Sequence, residues 1–355
     1  MKRKADLQGA GLLQQRCGFG LPVKPPVLTA SMDTSRGADK AYDHIDDYFR
    51  EAGKTCLARD HEACKDIRDY ALEWAESGKP EMPWTRLAEW RATITVNMRL
   101  TGPMMAALAI AQAEKPLPSD AAEKVLAWLK SKVDEFSHDL RGDGYYDFDT
   151  GSVRKAAHNH AVQSSVAAMS YGALAGNDGY FETGIEQWHI TLGSMREDGS
   201  LPIETRRGAR ALFYQGRTIA GLVMLAERAR AQGIDLFRKA PQPGKSIHQP
   251  VKFFIDAIED PKIVFPYARE NHSPGSRKHY TDQYLGGLGS TMGWVASYMR
   301  EFPGHENTHR LRGLRSSKGN TLVRKAVSAV GRADTSGRSG EWIGVDAVCF
   351  YSAVE

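Results

Sequence analysis

The chain has 355 residues, 41% of them hydrophobic and 25% charged, which suits a folded globular protein and argues against disorder. Forty-seven Lys and Arg against 43 Asp and Glu leave a net charge of +4, too little for a protein that holds a nucleic-acid backbone along its surface, so an anionic partner must be met locally. No stretch reaches membrane-spanning length, and the first 25 residues combine a basic start with no apolar run of seven, a poor match to a signal peptide.

Residues 1–37 read as an N-terminal extension with a possible lid segment, and residues 38–314 as one helical domain. Apolar residues at three- and four-residue spacing predict helices over Ala38 to Glu51, Glu62 to Glu76, Ile94 to Ala113, Ala121 to Leu140, His160 to Ala175, Phe181 to Met195, Arg206 to Gln232 and Lys252 to Ile258. The breaks are short and rich in Gly, Pro, Asn and Asp, as in SGKPEMP (77–83), EKPLPSD (114–120), GNDG (176–179) and EDGSLP (197–202). Strand-like alternation is scarce, so the expected class is all-α. Long helices joined by short loops pack as hairpins, and repeated hairpins curl into a solenoid or toroid. Trp74, Trp90, Trp128, Trp188 and Trp294 fall on helices and read mainly as core, with room for one or two to line a groove. Residues 315–355, rich in Gly, Ser, Arg and Lys, read as a loosely attached tail.

Cys17, Cys56, Cys64 and Cys349 are too few and too irregular for a disulfide scaffold or a CxxC-type zinc site, and no metal or cofactor is expected. Cys56 and Cys64, eight residues apart in a probable helix-loop-helix, are either a disulfide or two small buried thiols.

Two stretches carry chemistry. In SVRKAAHNHAVQSS (152–165), Lys155, His158, Asn159 and His160 crowd the start of a helix, where negative charge is favoured. An Asn-His pair can hydrogen-bond a carboxylate and take a proton from its neighbouring carbon, although such a pair also serves as a plain helix cap. In LPIETRRGARALFYQGRTIAGLVMLAE (201–227), a continuous helix would put Arg207, Arg210, Tyr214 and Arg217 on one stripe. That stripe is either a solvated surface or a site in which guanidinium groups favour the ionised phenol. In a uronate-containing polymer the C5 proton lies next to a carboxylate, which acidifies it only once its charge is neutralised. Arg and Asn can neutralise it, His or ionised Tyr can remove the proton, and an acid can protonate the departing glycosidic oxygen, with no cofactor.

The two stretches resemble the signatures of the alginate lyase family, polysaccharide lyase family 5 and its alginate-lyase-domain relatives. The residues that carry the likeness are Lys155, Asn159 and His160, then Leu201, Pro202, Glu204, Arg207, Arg210 and Tyr214, with weaker similarity in ALEWAESG (71–78) and GWVASYMREFPGHENTHRL (293–311). The resemblance implies an incomplete α/α toroid and a polysaccharide lyase acting by β-elimination on alginate, polymannuronate or polyglucuronate. Asn159, His160, Arg210 and Tyr214 would be catalytic, with Asn159 and Arg210 neutralising the carboxylate. Lys40, Lys155, Arg207, Arg217 and Gln163 would bind substrate. It also implies a tyrosine three residues beyond Tyr214, where this chain has Arg217, and an aromatic after the Asn-His pair, where Gln163 stands. A monomer in the periplasm, meeting an acidic polysaccharide and neither nucleic acid nor membrane, completes the expectation. Two rival readings are a glycoside hydrolase using Asp143, Asp147 or Asp149, and a non-catalytic acidic-polysaccharide-binding protein.

Overall fold

The structure, a computed structural model, describes residues 2–17, 38–58, 61–79, 96–142, 145–147, 152–154, 157–207, 210–268, 292–314 and 349–350. Two short helices, α1 (Lys2–Gly9) and α2 (Leu13–Cys17), precede the long α3 (Ala38–Ala58) and α4 (His61–Ser77). A π-helical turn, Val96–Thr101, runs into α5 (Gly102–Glu114), and α6 (Ser119–Gly142) leads to an antiparallel pair, β1 (Tyr145–Asp147) and β2 (Ser152–Arg154). Then come α7 (Asn159–Ala175), α8 (Asp178–Gly193), α9 (Pro202–Thr205), α10 (Ala211–Ala231) and α11 (His248–Glu259). A 3-10 turn (Pro261–Val264) enters α12 (Phe265–Ala268), followed by α13 (Trp294–Glu301) and α14 (Glu306–Leu314).

Contacts pass from helix to helix in the manner of an incomplete α/α toroid. Helices α3 and α4 pack on α5, α4 on α6, α6 on α7, α7 on α8 and α10, and α10 on α11 and α13. Helix α7 is the spine, buried from Asn159 to Gly172. Its Val162, Val166 and Met169 join the core made with α8, α10, α11 and α13, while Ala167, Ala168 and Tyr171 join the core made with α3 to α6. With no Asp, Glu, Lys or Arg along its length, α7 can be covered on every side. Its ends are set locally: the His158 ring nitrogen Nδ1 accepts from the Ala161 N–H at 3.3 Å, and Gly176 closes the helix in the left-handed conformation at φ 63°.

Several expectations are amended. The helix expected from Ile94 begins as a π turn because Gly102-Pro103 follows. Pro103 has no N–H to give, and a Cβ at Gly102 would lie 2.7 Å from the Asn97 carbonyl oxygen, so the turn widens there. The helix expected from Arg206 to Gln232 begins only at Ala211, because three-residue turns, Arg207 N–H to Glu204 O at 3.1 Å and Arg210 N–H to Arg207 O at 3.2 Å, separate α9 from α10. Trp74, Trp128, Trp188 and Trp294 are all buried, so none of these four lines a groove, while Trp90 lies outside the described residues.

All four cysteines form disulfides, Cys56–Cys64 and Cys17–Cys349. The spacing concealed the second pair, which joins residues 332 apart and packs with Leu7 and Leu57 in a small apolar cluster. Residues 315–348 of the expected tail lie outside the described residues, yet Cys349 beyond them is buried and fastened to α2. Among the described residues, no helix is long and apolar enough to cross a membrane, and no group of three or more His, Cys, Asp or Glu is placed to hold a metal ion.

Candidate active site

The site forms where α7, α9 and α10 converge. The turn before α9 is fixed by Gly199, at φ 87°, where a Cβ would lie 2.2 Å from the Gln249 carbonyl oxygen. Gln215 of α10 then holds the entry to α9, its Oε1 accepting from the Leu201 N–H at 3.0 Å and its Nε2 donating to the Gly199 carbonyl at 3.2 Å. Pro202 starts α9, with its missing N–H harmless in the first turn. Glu204 is thereby carried to the N-terminus of α7.

The Glu204 carboxylate is fully buried and gathers donors from three directions. Oε1 accepts from the Asn159 backbone N–H at 2.5 Å, the Asn159 amide at 3.0 Å and the Thr218 hydroxyl at 3.1 Å. Oε2 accepts from the Asn159 amide at 3.2 Å and pairs with the Arg207 Nε at 3.4 Å. The Arg207 guanidinium lies 4.2 Å above the Tyr214 ring centroid, and that of Arg217 lies 5.8 Å from the same ring and 5.5 Å from Phe213. Arg217 reaches the π turn, its Nη2 lying 3.3 Å from the Met98 sulfur, and Asn97 of that turn donates to Ser164 of α7 at 3.1 Å.

Electrostatics follow from this crowding. Burial, then His158, Arg217 and Arg207, push the proton affinity of His160 down to a pKa of about 2, so its imidazole is neutral across the physiological range. His158, its ring edge-on to His160 at 5.4 Å, is likewise lowered by burial. Its Nδ1 is already an acceptor at the helix cap, which leaves Nε2 as the protonated nitrogen of the neutral ring. Arg217 is lowered to about 10 by burial, against the opposing pull of Tyr214 and Glu204, and remains a cation at neutral pH.

Of the residues singled out in the sequence, Asn159, His160, Arg207, Tyr214 and Arg217 come together. They do not share one solvated stripe, because Arg207 precedes the break and Tyr214, Arg217, Thr218 and Gly221 form the face of α10 that meets α7. Asn159 is 0% exposed and His160 5%, with Arg217 buried as well, whereas Arg207, Tyr214 and His158 are half-buried and form the outer edge. Arg210 is exposed at the N-cap of α10; its backbone N–H bonds the Arg207 carbonyl, but no hydrogen bond or ion pair of its side chain joins it to the cluster among the described residues. Gln163 is buried between α7 and α10, its Nε2 3.1 Å from where a Gly221 Cβ would stand. Lys155 and the side chain of Lys40 lie outside the described residues, as do Ser31 to Gly37 of the expected lid. Asp143 and Asp149 are outside as well, and Asp147 sits in β1 opposite Ser152.

Sequence reasoning gave no role to Glu204, Thr218, Asn97, Met98 or Arg99, the last of which also acts electrostatically on Arg217. The signal for the π turn was present in Gly102-Pro103, in the middle of the apolar pattern from Ile94 to Ala113.

A family model described as alginate lyase matches residues 36–264. An alginate lyase of Azotobacter vinelandii is 24% identical over 237 residues, 61% of this chain and 61% of that protein, so the chain spans less than two thirds of that relative's length. A polysaccharide lyase of Stenotrophomonas maltophilia is 32% identical over 84 residues, 24% of this chain and 25% of that one. Among solved structures, a Tyr-to-Phe variant of alginate lyase A1-III complexed with a tetrasaccharide matches with a TM-score of 0.66 at 19% identity, covering 86% of each chain. A His-to-Ala variant of A1-III, also complexed with a tetrasaccharide, gives the same figures. An alginate lyase from Bacteroides ovatus matches with a TM-score of 0.56 at 16% identity over 92% of each chain.

Proposed function

Because this chain belongs to the alginate lyase family, we propose that it is a polysaccharide lyase cleaving alginate, or a related uronate polymer, by β-elimination. The observation that carries the reading is the Arg207–Tyr214 stack, tied through Glu204 to the Asn159-His160 pair. The altered histidine and tyrosine of the two A1-III variants stand 54 positions apart, as His160 and Tyr214 do here, which supports equating the pairs. On that reckoning Tyr214 is itself the family tyrosine, and Arg217 is not a substitute for it.

The uronate carboxylate is met by Arg207 at the outer edge, with Arg217 adding positive potential from behind. Together they stabilise the charge that builds as the C5–H bond breaks. The Tyr214 oxygen, entering the step deprotonated, accepts the C5 proton and returns it to the departing glycosidic oxygen, so the proton balance closes on one residue. Elimination then breaks the C4–O bond and leaves a C4–C5 double bond. His160, held neutral, orients the sugar by hydrogen bonding; as a proton acceptor it is too weak until substrate charge offsets its neighbours. Arg210 contributes at the rim.

Two disulfides in one chain support residence in an oxidising compartment, and the family resemblance favours the periplasm. A monomer is the proposed working unit. Substitution tests the assignment: Tyr214→Phe, His160→Ala and Arg207→Ala should each lower turnover by about 10²-fold or more. Arg210→Ala, by contrast, should chiefly raise KM. Turnover near wild type in any two of the first three would refute the reading.

A further inference from the structure

We propose that Glu204 is a positioning residue for the elimination, a single carboxylate that sets the aim of both Asn159 and Arg207; this rests on the lyase reading above. A carboxylate offers acceptor sites on two oxygens, and here both are used. Four groups converge on them: three hydrogen-bond donors, the Asn159 backbone N–H, the Asn159 side-chain amide and the Thr218 hydroxyl, and the Arg207 guanidinium, ion-paired to Oε2 through Nε. These groups come from the first residue of α7, from α10 and from the α9–α10 connection, so Glu204 is the point at which the three elements are locked in register.

The geometry specifies what is held. The two oxygens of one carboxylate subtend roughly 40° at the Asn159 Nδ2, whereas its two N–H bonds diverge by about 120°. One hydrogen is therefore shared between the oxygens, the amide plane is fixed, and the second hydrogen is left for another acceptor. The Asn159 Oδ1 is correspondingly turned away from the carboxylate and has no hydrogen-bond partner among the described residues. On the other side, the ion pair engages Arg207 through Nε at 3.4 Å, while its guanidinium carbon lies 4.2 Å from the Tyr214 ring centroid, so the same carboxylate holds the arginine over the tyrosine. The Thr218 hydroxyl can also donate to the Tyr214 carbonyl at 3.1 Å, so its one hydrogen links the carboxylate to the turn of α10 that carries the tyrosine.

An amide cannot replace this group. Glutamine has one acceptor oxygen and adds two N–H donors to a pocket already lined with donors, so it can keep Asn159 or Arg207 but not both. Losing a negative charge also makes the site more attractive to a uronate. The Glu204→Gln variant should therefore fold, bind polyuronate with a KM no higher than wild type, and turn over on the order of 10²-fold more slowly, as expected when donors are misplaced by about 1 Å. A residue that served only to stabilise the fold would not separate kcat from KM in that direction.

The test is steady-state kinetics on a mannuronate polymer together with a crystal structure of Glu204→Gln. The expected result is the kcat loss at unchanged or lower KM, with Arg207 or Asn159 displaced from its present contacts. Thr218→Val, which removes one donor without changing side-chain volume, serves as a second variant and should lose turnover several-fold. Wild-type kcat in Glu204→Gln, or a crystal structure in which Arg207 and Asn159 keep their places, overturns the inference. A wild-type chain that yields no unsaturated product overturns the lyase reading instead, and the crystal structure still judges the positioning claim.

Discussion

Gly221 decides how closely α10 approaches α7, and the site depends on that approach. A Cβ added at Gly221 would lie 2.5 Å from Val162 Cγ1 and 3.1 Å from Gln163 Nε2. Two effects oppose each other in Gly221→Ala. Alanine gains about 1 kcal/mol of helix propensity over glycine in a helix interior. Against this, the contact is too short to survive, and Val162 cannot rotate away: it is fully buried, and a β-branched side chain in a helix has one strongly preferred rotamer. Overpacking of this kind costs about 1–3 kcal/mol, with α10 displaced as the means of relief. We expect a net loss of up to about 2 kcal/mol. Because Tyr214 and Arg217 lie two turns and one turn before Gly221 on the same face, and His160 lies two residues before Val162, turnover should fall about 10-fold or more. Val162→Ala removes the methyl group that clashes. Alone it should cost about 2 kcal/mol, but combined with Gly221→Ala it should leave a protein more stable than the sum of the two losses by at least about 1 kcal/mol, with part of the activity restored. Urea melts and initial rates on the four proteins form the cycle. Additive losses, or a Gly221→Ala protein as stable and active as wild type, would refute the argument from close approach.

Other consequences follow from the disulfides and from a second histidine cluster. Cys17–Cys349 closes a far longer loop than Cys56–Cys64, separations of 332 and 8 residues, so replacing both partners with serine should cost about 3 kcal/mol more for the first pair. Thermal melts of the two double variants check the order, and a larger loss from the short loop would contradict it. Elsewhere, His248 stacks on His305 at 3.8 Å, and its Nδ1 meets the Tyr298 hydroxyl at 2.7 Å, with Phe302 and Asn307 packed around them. Burial, then His305, lowers His248 from 6.5 to a pKa of about 4. As pH falls, the unfolded chain is protonated there first, so this contribution is complete above about 6.5 and is lost between about 6.5 and 4. At about 1.4 kcal/mol per pH unit across that window the loss is at most about 3 kcal/mol. Denaturant melts of wild type and His248→Phe at several pH values measure it, and equal acid sensitivity in the two would contradict the assignment.

The parts of the fold legible in the sequence are those that depend on local periodicity. Helices α3, α4, α6, α7 and α11 follow their apolar spacing, and the turn residues Gly176, Gly199 and Pro202 mark their breaks. What escaped depends on contacts between distant residues. Glu204 was visible only as a member of the 201–214 motif, with no role attached, and becomes central only when α9 is laid against α7. Arg207 and Arg210 look equivalent on a continuous helix, yet the three-residue turns between Glu204 and Arg210 send one onto Tyr214 and leave the other exposed. The Cys17–Cys349 pair is invisible to any spacing rule because it joins the two ends of the chain. The Asn159-His160 motif was recognisable, but its burial was not: a polar pair at a helix start serves equally as a plain cap, and only the neighbouring helices cover it.

The central claim is that the cluster of α7, α9 and α10 eliminates across a uronate linkage. Incubating the purified protein with mannuronan, guluronan, glucuronan and hyaluronan while following ultraviolet absorbance tests it most directly. A rising signal from 4,5-unsaturated ends is expected on at least one of these polymers, abolished in Tyr214→Phe. Chain shortening with no such absorbance, or binding with no shortening at all, would contradict it.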